Sequence, residues 1–272
     1  MRISIDLLRK NFLFLLIPCL IGITYLGSTV LSSSTKRDNT VVKINNLTHS
    51  CALLNVKKHK DHIQVSIQNN SDKAITAFVI TSRMDPRTVF TFKEEFAFSE
   101  GDLVIAPGQS YDKLITIPSS LNRQNEIDLI LSAVIFDDNN SEGDPNIIRD
   151  IEDNRSGQKI QLMKAFSVIE RLSRLSNIEM GIYWNKDARN DLEAALNAPD
   201  TELLIKLNKK HLNNSEPYHE SEQFQLGVQA GKESVFYKFQ ELKDIQEKQG
   251  TSALRERVIG LRDLYTKMIA KF

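Results

Sequence analysis

"AVIFDDNNSEGDP", residues 133–145, is where the chain changes its period. Ala133 to Phe136 read as the end of a buried strand. Asp144 followed by Pro145 reads as a helix start. A short acidic side chain there accepts a first-turn N–H, and proline at the first helical position removes a donor that would have no partner anyway. Between them, Asp137, Asp138, Asn139, Asn140, Ser141, Glu142 and Gly143 are oxygen-bearing or flexible, as befits a polar exit from a strand. The stretch predicts β structure before it and α structure after it.

Upstream, β-rich runs recur about every ten residues: "VVKI" (41–44), "CALLNV" (51–56), "HIQVSIQ" (62–68), "AITAFVITS" (74–82), "TVFTF" (88–92), "DLVIAP" (102–107), "YDKLITIP" (111–118) and "IDLILSAVIF" (127–136). Turn-forming clusters such as "NNSDK" and "PGQS" separate them. Ile63, Val65 and Ile67 alternate with His62, Gln64 and Ser66, the period of a strand with one buried face. Short, evenly spaced strands with turn signals predict an antiparallel β-sandwich over 41–144.

Three segments of this region, "VSIQNNSDKAITAFVI", "IAPGQSYDKLITIP" and "LSAVIFDDNNSEGDP", resemble an immunoglobulin-like domain of uncharacterised secreted or envelope proteins of bacteria. The shared pattern is an N-x-S-x-K-x-I turn between two strands, a later PG turn, and a strand and acidic turn followed by a helix. It spans about residues 60–176. Asn139 and Asn140 stand where the pattern has glycine. The resemblance implies a fold and an extracytoplasmic location, and carries no activity with it.

The acidic turn is the one stretch with arguable chemistry. Asp138, Asn140, Glu142 and Gly143 match positions 1, 3, 5 and 6 of a calcium loop, taking Glu at position 5. Position 12, which should bring a bidentate carboxylate, is Arg149. The entering element is a strand, where an EF-hand has a helix. Asp138, Asn140 and Glu142 therefore form at most a weak calcium site, and the turn-and-cap reading is favoured. Asp137, Asp138, Glu142 and Asp144 are the carboxylates a catalytic reading of 137–144 would use. G-x-S-x-G, Walker, G-x-G-x-x-G and H-E-x-x-H motifs are absent, so no cofactor is expected. His59, Asp61 and His62 in "HKDH" fall in a turn where polar side chains need no ligand. Trp184 is a core aromatic or a partner anchor.

From Pro145 the apolar spacing becomes helical: Ile148, Ile151, Leu162, Phe166, Ile169 and Leu172. Gly157 allows one long helix or two collinear ones. "NIEMGIYW" (177–184) breaks the pattern. "KDARNDLEAALN" and "TELLIKLNKKHLNN" predict two short helices around Pro199. Phe224, Val228, Val235, Phe239 and Leu242 form one stripe. Leu254, Val258, Leu261, Tyr265, Met268 and Phe272 form another. Between them Gly250 predicts a helix stop and Ser252 a new N-cap, giving a helical hairpin at the end of an α-helical region 145–272. The stripes bury against each other and the helix around Phe166, or against a protein partner.

The chain has 272 residues, with 35 Lys+Arg against 35 Asp+Glu. Without a basic excess to displace counterions, nucleic acid is not an expected partner. Cys51 is the one cysteine outside the N-terminal apolar segment that contains Cys19. Phe12 to Leu31 carries no charge and follows Arg2, Arg9 and Lys10. Twenty uncharged, mostly apolar residues span roughly 30 Å as a helix, the thickness of a bilayer core. Residues 1–40 thus predict a transmembrane anchor and tether, or a cleaved signal that would release a secreted chain. The basic leading flank orients residues 32–272 outside. The fold class expected is α+β: a membrane-spanning or signal helix, an immunoglobulin-like sandwich, then helices. The function expected is a non-catalytic extracytoplasmic binding module, with an enzyme or weak calcium module at 137–144 as the alternative.

Overall fold

The computed structural model describes residues 40–83, 89–98, 104–123, 126–199 and 221–270. The expected anchor at 12–31 and the expected helix at 201–214 lie outside them. The described strands are β1 (Val41–Asn46), β2 (Cys51–Lys58), β3 (His62–Asn69), β4 (Ile75–Arg83), β5 (Val89–Glu95), β6 (Ser110–Thr116), β7 (Glu126–Phe136) and β8 (Ser141–Gly143). The described helices are α1 (Ser119–Asn122), α2 (Pro145–Ser173), α3 (Asn177–Lys186), α4 (Ala188–Asn197), α5 (Glu222–Gln249) and α6 (Thr251–Ala270). The protein is α+β, with every described helix but the short α1 after the sheets.

One sheet has the order β1-β7-β4-β5, and the other has β2-β3-β6. Both contribute to a single apolar core. Ile63, Val65 and Ile67 of β3 and Ile115 of β6 meet Phe78 and Ile80 of β4 and Ile127, Leu129 and Leu131 of β7. In β6 and the first half of β7, period two in the sequence becomes one buried face. The sheets are not purely antiparallel, however. β1 runs parallel to β7, with Val41 opposite Glu126 and Asn46 opposite Leu131. The first strand therefore closes onto the last long one. Beyond Leu131, β8 takes over as the antiparallel partner of β7, from Ala133 to Ile135. Ile105, within the expected strand 102–107, makes a lone antiparallel bridge to Ile75, with N–H···O distances of 3.0 and 3.1 Å.

β4 is buried at eight successive positions, Ile75 to Ser82. Its second face, with Ala133 and Ile135 of β7, is covered by Ile147, Ile148 and Ile151 of α2. The start of α2 is thus a third layer. An ion pair fixes it there. The Arg155 guanidinium donates to both oxygens of Glu95 at 3.0 and 2.8 Å and to Thr76 Oγ1 at 3.1 Å. Its side chain is 6% exposed and that of Glu95 is 15%. The distal half of α2 carries the helical core, where Leu162, Ala165, Ile169 and Leu172 meet Val235, Leu242, Leu254, Val258, Leu261 and Tyr265.

Gly157 lies inside a single unbroken helix α2. It stands where α2 and α5 touch backbone to backbone. A Cβ on Gly157 would lie 2.6 Å from Val228 N, and one on Gly227 would lie 2.8 Å from the Asn154 carbonyl carbon. Glycine here admits a close helix crossing that any side chain would prop apart.

Three other sequence expectations are corrected. "NIEMGIYW" does not break the helical region; it is α3, started by a capping box in which Ser176 and Glu179 bond each other's backbone N–H at 3.3 and 2.9 Å. Ser252 is not an N-cap. Gly250 ends α5, α6 begins at Thr251, and the Leu254 N–H bonds the Gly250 carbonyl at 3.2 Å. The polar turn 137–143 is not irregular throughout, because Ser141–Gly143 is β8. Among the described residues, no helix is long and apolar enough to cross a membrane.

Candidate functional site

The acidic turn is the tip of the β7–β8 hairpin, with Asn139 in the left-handed region at φ 64°. Asp138 accepts from the Asn140 backbone N–H at 3.0 Å and from its side-chain amide at 2.6 Å, and pairs with Lys73 at 2.5 Å. These contacts hold the Asp138 carboxyl below the usual range, the Lys73 hydrogen bond foremost. Glu142 faces other partners. Its Oε2 accepts the N–H groups of His49 and Ser50 at 2.7 and 2.9 Å, and its Oε1 accepts the Ser50 hydroxyl at 2.5 Å. Partial burial pushes this carboxyl up, but the Ser50 and His49 donors together outweigh it and lower its pKa. Asp144 accepts from Asn146 N–H at 2.9 Å and caps α2.

Asp138 and Asn140 are therefore together, and Glu142 is apart from them. The hairpin works as a clasp. Its tip holds the β3–β4 turn through Lys73, and β8 holds the β1–β2 turn through Glu142, which ties the two sheets. Asn140's amide points a donor at Asp138, the reverse of what a cation needs. Among the described residues, no three His, Cys, Asp or Glu side chains are grouped for a metal ion. His59 and His62 stack with ring centroids 4.5 Å apart, and His62 Nδ1 lies 2.9 Å from Asp61 Oδ1.

A second candidate is built by helices α3, α4 and α5. Trp184 and Asn185 of α3, Arg189 and Glu193 of α4, and Phe236, Phe239, Gln240 and Lys243 of α5 line an open groove of about 480 Å³, with Gln246 and Glu247 at its end. Its floor is aromatic. Trp184 stacks on Phe239, with centroids 4.6 Å apart and ring planes at 26°. Both rings are only partly buried. The rims carry neutralising pairs, Arg189–Glu193 at 2.8 Å and Lys243–Glu247 at 3.8 Å.

The walls are held firmly. Met180, Leu192 and Leu196 anchor α3 and α4 in the helical core. Arg171 of α2 pairs with Asp191 of α4 at 2.5 Å, and Tyr183 of α3 hydrogen-bonds both. Burial, then the Asp191 hydrogen bond, pushes the Tyr183 hydroxyl up to about 12, so it stays a neutral donor. Across the groove's far end, Lys232 of α5 donates to Asn197 of α4 at 3.0 Å.

Beside the groove runs a ridge. Ile178 and Ile182, one turn apart on α3, are 78% and 64% exposed. Asn185, one turn further, borders both ridge and groove. Two β-branched apolar side chains in water on one short helix have no role in the internal core, which α3 enters through Met180. Sequence reasoning singled out Trp184 as a core or anchor residue, and it is the groove's aromatic floor. The ridge went unread, although "NIEMGIYW" carries more apolar residues than one buried face can use. The chain matches no protein-family model, no curated protein and no solved structure.

Proposed function

We propose that the chain is a non-catalytic, extracytoplasmic binding module, tethered by residues 12–31, that holds a protein partner on the α3–α4–α5 face. The observation that carries this is the preformed aromatic groove beside a solvent-exposed isoleucine ridge. Such a surface supplies a desolvated centre with charged rims, the usual anatomy of a protein interface. The rims are charge-balanced, which favours a protein over an anionic membrane surface or a nucleic acid. On this reading the two sheets are an immunoglobulin-like base, in keeping with the resemblance over residues 60–176, and the helices are the working surface. The uncharged span after Arg2, Arg9 and Lys10 supports the outward orientation.

Two experiments test it. Protease added to intact cells expressing the full chain should digest residues 32–272; complete protection overturns the location. A photo-cross-linking amino acid in place of Phe236 should yield a protein adduct in those cells. Cross-linking to no protein at all overturns the binding reading.

A further inference from the structure

The groove and the ridge lie side by side on one molecule and are complementary to each other. The groove is open with an aromatic floor; the ridge is a pair of isoleucine side chains standing in water on a shallow surface. We propose that the occupant of the groove is the ridge of a second copy of this chain, so that the protein is a two-fold dimer through α3. This rests on the binding reading above and names its partner.

Three observations favour a second copy over an unrelated protein. First, a two-fold contact needs one patch to hold both halves of the fit, because residue i meets residue j and j meets i. Here Ile178 and Ile182 are the projecting half, and Trp184, Phe236 and Phe239 the receiving half. Second, the halves share Asn185, which borders both. The operation that exchanges ridge and groove between copies must pass near their boundary, so Asn185 of each copy faces Asn185 of the other. An amide suits such a position, since it donates and accepts and can bond its own image. Third, each groove wall carries one base and one acid a turn apart, Arg189 with Glu193 and Lys243 with Glu247. A rim of that kind lets each base meet an acid of the opposing copy and sums to no repulsion when the patch meets itself.

The arrangement also accounts for the ridge as such. Five large apolar exposures, Ile178, Ile182, Leu226, Phe236 and Tyr237, fall on α3 and α5. A dimer removes Ile178, Ile182 and Phe236 from water at once, twice over by symmetry. The neighbouring shallow surface along Asn177, Gly181 and Thr251 extends the contact to the start of α6.

Asn185→Cys tests this in the full chain expressed in cells, in a Cys19→Ala background; Cys51 is buried and does not compete. Two cysteines facing each other across a two-fold axis lie within disulfide reach. Mild oxidation should convert the chain to a covalent homodimer. Adding Ile182→Arg should reduce that dimer by about tenfold or more, since the ridge then carries a charge into an apolar groove. Ile178→Arg should act alike; both positions are exposed, so the fold tolerates them. A dimer that survives both substitutions overturns the assignment to this face. Absence of the homodimer overturns self-association. In that case the photo-adduct at position 236 discriminates: an adduct to a different protein leaves the binding reading standing, and no adduct removes both.

Discussion

Replacing Gly227 by alanine tests the crossing of α2 and α5 directly. A Cβ at this position would lie 2.8 Å from the Asn154 carbonyl carbon and 2.9 Å from Asn154 Cα, where ordinary contact begins at 3.4 Å. Both atoms belong to the backbone of a long helix, so no flexible side chain can swing aside. The Asn154 carbonyl oxygen lies closer still and sets the limit, so the two helices must part by about 1 Å or more, which loosens the contacts around Phe224 and Val235. Overpacking costs about 1–3 kcal/mol, and a clash this close with backbone that cannot swing aside falls in the upper part of that range, about 2–3 kcal/mol. Alanine returns about 1 kcal/mol through its higher helix propensity. The net expectation is a loss of about 1–2 kcal/mol, or a Tm lower by roughly 2–8 °C for a chain of this size. Gly260 in α6 is the matched control. It is exposed, and a Cβ there meets nothing within 4 Å. Gly260→Ala should raise Tm by about 2–4 °C. Thermal unfolding of both variants, followed by far-UV circular dichroism, gives the comparison. If Gly227→Ala stabilises as Gly260→Ala does, the helices do not touch as described.

Three further outcomes are expected. Asp144→Ala removes the cap on α2 and should cost about 0.5–2 kcal/mol, seen as a lower urea midpoint at unchanged slope. Arg155→Met strands Glu95 in the interior and should cost about 3–5 kcal/mol, with Arg155→Met/Glu95→Leu recovering most of it; an unrecovered double variant would show that the pair itself, and not the stranded charge, dominates. Glu142→Gln concerns pH. Its folded carboxyl titrates below the unfolded value, so its contribution is present above the ordinary carboxylate range and is lost as pH falls through the lower folded pKa. The Tm gap between parent and Glu142→Gln should be open at about pH 7 and close in acid; a gap independent of pH contradicts the clasp.

The strands were legible because β-branched residues at period two leave little choice, as in Ile63, Val65 and Ile67. The start of α2 was legible from Asp144 and Pro145 alone. β4 also carried a readable signal for its third layer. "ITAFVI" has no polar alternation, as a strand covered on both faces requires. The parallel β1–β7 pair was not legible, because strand direction depends on which edge is free once the other strands have paired. α3 escaped because Ile178, Met180, Ile182, Tyr183 and Trp184 are apolar on opposite sides, which erases helical periodicity; its capping pair, Ser176 and Glu179, was the surviving clue. "GVQAG" at 227–231 spells a small-x-x-x-small spacing, and that signal for a tight helix crossing was present and unused. The groove could not be read at all. Its walls come from α3 and α4 on one side and α5 on the other, and nothing local encodes their meeting.

The cover that α2 lays over β4 and β7 has a consequence in time. Val41 meets Glu126, so the first strand made must wait for nearly the last before its sheet is complete. Even then Ala77, Val79, Ala133 and Ile135 stay bare until Ile147, Ile148 and Ile151 arrive. A chain that has emerged only as far as the acidic hairpin is a nearly finished sheet pair with a sticky outer face. Contacts this distant in sequence form slowly, and exposed strand surface is what aggregates while it waits. A fragment ending near Asp144 should therefore precipitate, whereas one extended through Ser173 carries its own shield. The helix α2 thus serves the sheets as an internal chaperone before it serves the other helices as a scaffold.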